Sequence, residues 1–138
     1  MIRNEQEYKL ALRRLAEDDQ FLEAQRQAFV AAGLAPEEVE RALEPTMSFH
    51  AQLREEIEWY ERVKRRDFGT LRNLAGLGRL LIALRIASGL TQRELADRLG
   101  VSEAQVSRDE RNEYHGITVE RARRILDAMN EIVSSVVE

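Results

Sequence analysis

The residues best suited to chemistry crowd into TQRELADRLGVSEAQVSRDER, residues 91 to 111. On a helix opening after Ser102, the exposed face carries Glu103, Ala104, Gln105, Arg108 and Arg111. That set suits the edges of nucleic-acid bases better than it suits catalysis. An arginine such as Arg108 can pair bidentately with guanine, Gln105 can reach base or backbone, and Ala104 can touch a thymine methyl. Glu103 could accept from cytosine N4, although a carboxylate in the first turn is also explained by the helix dipole alone. Thr91, Arg93, Ser107, Asn112, Tyr114 and His115 surround this face and, with Arg111, could hold phosphates, supplying affinity more than specificity. His115, beside Gly116, is equally readable as a loop histidine without a role.

Other chemistries find little support. The 138 residues include no Cys and only two His, His50 and His115, which removes thiolate sites and leaves too few imidazoles for a His-built zinc centre. Glu55/Glu56 and Asp18/Asp19 are sequence neighbours and point to different helix faces, and there is no P-loop or dinucleotide fingerprint. No enzyme activity, cofactor or metal is expected. The overall charge of -4 hides an asymmetry: residues 1 to 60 hold seven basic against thirteen acidic side chains, residues 62 to 111 eleven against six. Local field governs attraction to phosphate, so the basic middle is the candidate footprint. The charged start MIRNEQEYKL lacks an apolar leader core, and no run approaches a membrane span, which predicts a cytoplasmic protein.

The elements that must position these residues read as helices throughout. Residues 4 to 31 carry Tyr8, Leu12, Leu15, Leu22 and Phe29 at approximately helical spacing. Gly33 suits the position after a helix, and Pro36 the first turn of the next, with Glu37 and Glu38 at its positive end. Pro45 should end or kink that short helix at Glu44. A third helix from Thr46 to about Arg66 would stack Phe49, Leu53, Ile57, Tyr60 and Lys64, ending in a basic tip of Arg62, Lys64, Arg65 and Arg66. The glycines of DFGTLRNLAGLGRL suggest a hinge and place a boundary near residues 67 to 75. Beyond it lie a helix ending at Gly89, two short helices, and a last helix over ITVERARRILDAMNEIVSSVV capped by Thr118.

The two short helices explain the crowding. Thr91 with Glu94, and Ser102 with Gln105, have the spacing of capping boxes, and Gly100 supplies the turn between them. Ala96 keeps a small side chain where the helices cross, while Leu95, Leu99, Val101 and Val106 face a common core. This is the helix-turn-helix pattern, whose second helix is presented to a DNA major groove. Across residues 75 to 130 the chain resembles the Cro/cI-type (Xre-family) DNA-binding domain, through Gly89-Leu90-Thr91-Gln92, the Ala96/Gly100/Val106 triplet, and Ser107-Arg108 with Glu110. The resemblance implies a phosphate or base contact for Gln92 and an ion pair between Arg85 and Glu110 that orients the recognition helix. Asp109 departs from it, standing where the family buries an aliphatic residue; there the helix end packs differently or meets an Arg.

The resemblance also assigns Leu77, Leu81 and Leu84 to the domain's own core. Leu80, Ile82 and Ile86 are then left to be covered by the N-terminal helices or a second subunit. The stripe from Phe49 to Tyr60 and the C-terminal IVSSVV are further candidates for a subunit contact. IRNEQEYKLAL resembles the helical start of HigA-type antitoxins. The expectation is thus an all-α protein with an N-terminal helical region, residues 1 to 67, for oligomerisation or protein binding, and a helix-turn-helix domain, residues 75 to 138. It would act as a homodimeric repressor on a double-stranded DNA operator, with Gln92, Glu103, Ala104, Gln105 and Arg108 reading bases. The alternative is an antitoxin that neutralises a protein toxin through its N-terminal half and autoregulates its operon.

Overall fold

A computed structural model describes all 138 residues, and its regular structure is helical throughout, as the sequence predicts. The chain divides into two compact units, Met1–Glu61 and Arg62–Glu138. The division falls in the last turn of a helix, so the glycine-bearing stretch 67 to 75 lies inside the second unit instead of separating two bodies.

The first unit holds α1, Glu5–Ala31, and most of α2, Pro36–Lys64. Asn4 opens α1: its side chain accepts the Glu7 amide at 2.8 Å, and Glu7 reaches back to the Arg3 amide, also at 2.8 Å. At the other end the Leu34 amide reaches the Phe29 carbonyl, while Gly33 takes φ 87°, a left-handed value suited to glycine. The helices run antiparallel, because Tyr8 stacks on Tyr60, His50 pairs with Asp19, and Arg26 pairs with Glu40. Buried or half-buried positions recur at 8, 11, 15, 18, 22, 25 and 29 on α1, and at 39, 43, 46, 50, 53, 57 and 60 on α2. That alternation of three and four is a heptad seam.

The seam corrects three expectations. α2 passes through Pro45 without ending at Glu44. A proline inside a helix costs about 3 kcal/mol, and burial of Val39 and Leu43 before it and of Ile57 and Tyr60 after it on one seam carries the helix through. Leu12 and Phe49 do not join the core. Leu12 lies one residue beyond buried Ala11, and Phe49 one residue before His50, which leaves Phe49 69% exposed.

The second unit holds α3, Leu77–Ala87; α4, Gln92–Leu99; α5, Glu103–Arg111; and α6, Val119–Met129. α4 packs on α5 and α6, and α3 on α6. Leu81, Leu84, Leu90, Leu95, Ala96, Val106, Ile125 and Met129 are among the buried residues. Ile82 and Ile86 are also buried and Leu80 half-buried, so their cover lies within the chain and calls for no second subunit. Val101, expected inside, is 41% exposed. α6 stops at Met129 because Asn130 turns left-handed, at φ 56°, and IVSSVV follows as irregular chain instead of helix. Gly78 fills a role the sequence reading does not assign it. A Cβ there would lie 1.9 Å from the Glu113 carbonyl oxygen, so only glycine lets α3 pass this close to the loop after α5.

Candidate nucleic-acid interface

Two hydroxyl residues start the two central helices. The Thr91 side chain accepts the Glu94 amide at 3.0 Å and Glu94 accepts the Thr91 amide at 3.4 Å, a complete capping box. Ser102 accepts the Gln105 amide at 3.1 Å, but the Gln105 side chain turns away to Asp109, so only half of the second box forms. Between them Gly100 takes φ 69°.

One stripe of α5 holds it to the domain. Val106 and Glu110, four residues apart, are both buried. Arg85 reaches from α3 to Glu110 with two bonds, Nε to Oε2 at 2.5 Å and Nη2 to Oε1 at 2.7 Å, and its Nη1 donates to the Leu90 carbonyl at 2.8 Å. Both side chains of this pair are almost wholly buried, 3% and 0% exposed. Gln92 adds a bond from Nε2 to Glu110 Oε1 at 3.0 Å, so α3, α4 and α5 meet at one carboxylate. Asp109 meets an arginine, the alternative that its departure from the aliphatic pattern left open: Arg121 of α6 pairs with its Oδ2.

The opposite stripe faces solvent. Glu103, Ala104, Arg108 and Arg111 are exposed, and Gln105 and Ser107 are half-buried. Arg108 Nη2 donates to Gln105 Oε1 at 3.2 Å, while Gln105 Nε2 donates to the two Asp109 oxygens at 3.2 and 3.3 Å. Of the flanking residues, Thr91, Arg93, Asn112 and His115 are exposed, with Asn112 also ending α5. Tyr114 is corrected: it is 5% exposed and belongs to the core, where its burial and then the nearby Glu110 and Asp109 carboxylates raise its phenol pKa. A buried ring offers a phosphate little. The basic tip is exposed at Arg62, Lys64 and Arg65, whereas Arg66 is engaged by Glu131 at 2.8 and 2.9 Å and lies over the Phe68 ring.

Arg121 escapes a reading of the sequence because it sits on another helix, twelve residues from Asp109. The one available signal is the acid at position 109, where a buried aliphatic residue is expected and a cation must compensate.

A helix-turn-helix family model matches residues 81–132. No curated protein and no solved structure is significantly similar to the chain. Match and geometry coincide on α3 to α6, so this segment is a helix-turn-helix domain of the Cro/cI type, the DNA-binding domain of a class of transcription regulators. No helix is long and apolar enough to cross a membrane.

Proposed function

We propose that the chain is a dimeric, sequence-specific repressor that inserts α5 into the major groove of its operator and excludes polymerase from a promoter. The observation that carries this reading is the division of α5 within the matched domain. Its Val106 and Glu110 stripe is spent on the core, and its Ala104 and Arg108 stripe is left to solvent. On this reading Arg108 pairs with guanine, Ala104 packs on a thymine methyl, and Gln105 and Glu103 line the same groove. Gln92, at the first turn of α4, keeps its amide oxygen and one N–H for base or phosphate. Thr91, Arg93, Ser107, Arg111, Asn112 and His115 position the backbone. Selection from a randomised duplex library tests the proposal; a protein that enriches no sequence, and binds all duplexes alike, is not a sequence-specific regulator.

A single helix-turn-helix module reads a short half-site, and two copies are the usual solution. The N-terminal unit supports pairing. On its heptad seam, Phe21 of α1 and Phe49 of α2 occupy the same flanking position at nearly the same height, and they are 55% and 69% exposed. Ala28 and Ala42 share that flank with Glu7, Arg14 and Glu56, which lie toward its ends, whereas the other flank carries Asp19, Arg26, Glu40, Arg54 and Glu61 around the smaller apolar exposures of Leu12 and Met47, each 39%. A second copy would cover the two rings and turn two helices into four. Light scattering on the full chain reads this directly. A monomer would leave the two rings for a different protein, which is the antitoxin reading of the same acidic unit, and co-purification of a small basic partner from the host would then decide for it.

A further inference from the structure

We propose that Arg121, on α6 and outside the two helices of the motif, sets the DNA sequence preference by fixing the side chain of Arg108 through a relay of two intermediates. The inference rests on α5 being the base-reading helix, as proposed above. The relay runs from the Arg121 guanidinium to Asp109 Oδ2, from the Asp109 carboxylate to Gln105 Nε2, and from Gln105 Oε1 to Arg108 Nη2.

Its polarity leaves one arrangement. A guanidinium only donates and an ionised carboxylate only accepts, so the Gln105 amide must turn its nitrogen to Asp109 and its oxygen to Arg108. Reversing that amide would set donor against donor at one end and acceptor against acceptor at the other. Gln105 is therefore engaged at both ends and fixed in one orientation, so that it holds Arg108 while its remaining lone pair still faces the groove it lines. An untethered arginine samples many rotamers and loses them on binding; one held in place has less to lose and fewer wrong orientations to offer.

Stability accounts for the same residues only in part. The pair is half-buried, with Arg121 41% and Asp109 17% exposed, so it holds the fold less firmly than a fully enclosed pair does. Asp109 lines a cavity of about 60 Å³ whose walls are apolar at Leu99, Val106 and Ile125 and cationic at Arg121 and Arg124, so the carboxylate there depends on its cations where an aliphatic side chain would need none. The buried Arg85 and Glu110 pair already fastens α5 to the domain. What Asp109 and Arg121 add is the orientation of the solvent-facing stripe.

The test uses the full chain and the sequence it selects from a randomised duplex library, with every base pair of that sequence then substituted in turn. Arg108→Ala identifies the base pair read by Arg108. Arg121→Met and Asp109→Leu are expected to lower discrimination at that same base pair by about threefold to tenfold, leaving the other positions and the salt dependence unchanged. Arg121→Lys, which restores a cation, should recover most of the preference, a rescue that loss of packing would not show. Wild-type discrimination in Arg121→Met, or an equal loss at every position, overturns the relay. Should Asp109→Leu fail to fold, Arg121→Met at its half-exposed site still decides. A wild-type chain that selects no sequence overturns the base-reading proposal and the relay with it, an outcome distinct from a selected sequence that Arg121→Met leaves intact.

Discussion

Removing one member of the buried Arg85 and Glu110 pair should destabilise the second unit far more than removing both. With Arg85→Met, Glu110 keeps only the Gln92 amide, at 3.0 Å, in a site where its own side chain is fully enclosed. Breaking a buried pair from one side costs about 3 to 5 kcal/mol. One retained bond to a charged group offsets part of this, which puts the expected loss near 3 kcal/mol. For a domain of this size each kcal/mol moves the midpoint by roughly 4 to 8 °C, so Tm should fall by about 12 °C or more. Arg85→Met with Glu110→Leu leaves no stranded charge, and should recover to within about 1 kcal/mol of the natural chain. Urea unfolding followed by circular dichroism is the assay, because the single tryptophan, Trp59, lies in the other unit and would not report the transition. A loss under 1 kcal/mol for Arg85→Met would refute the reasoning, as would a double variant no more stable than the worse single one.

Gly78→Ala should destabilise the same unit by about 1 to 3 kcal/mol, the cost of overpacking, since its Cβ would meet the Glu113 backbone; a melt within error of the natural chain would mean the loop yields freely. Pro45→Ala should raise the melting temperature of the first unit by restoring a helical amide at an exposed site, with a gain of about 1 to 3 kcal/mol. Phe21→Glu combined with Phe49→Glu should convert the proposed dimer to a monomer by light scattering while leaving the circular dichroism of the second unit's melt in place. Neutralising Arg62, Lys64 and Arg65 should shallow the dependence of DNA affinity on salt if the tip meets phosphates; an unchanged slope removes it from the interface.

The second unit is the more legible part because its elements are short and locally punctuated. Thr91, Ser102, Thr118 and Gly100 each act within a few residues of themselves, and all four occupy the cap positions their types favour. The long helices are harder. Proline at 45 is a strong local signal for a break, but a seam of residues distant in sequence overrules it. The same seam exposes Leu12 and Phe49 because a shift of one residue on a helix turns a side chain by about 100°. At the interface, Gln105 and Arg108 are visible as polar residues on one face, but their mutual bond and the tie through Asp109 to Arg121 depend on where α6 packs. The sequence alone does not settle that placement.

The separation of the two stripes on α5 bears on how such a protein can change over time. Val106 and Glu110 hold the scaffold, while Ala104, Arg108 and Arg111 lie on the side turned away from it. On the proposed reading of α5, substitutions on the outer stripe would alter what the helix recognises at small cost to folding, and a duplicated gene could acquire a new target without first needing a stabilising change. Related chains would be expected to vary freely at 104, 108 and 111 while keeping the acid at 110 and the arginine at 85 together, with 109 and 121 changing as a pair.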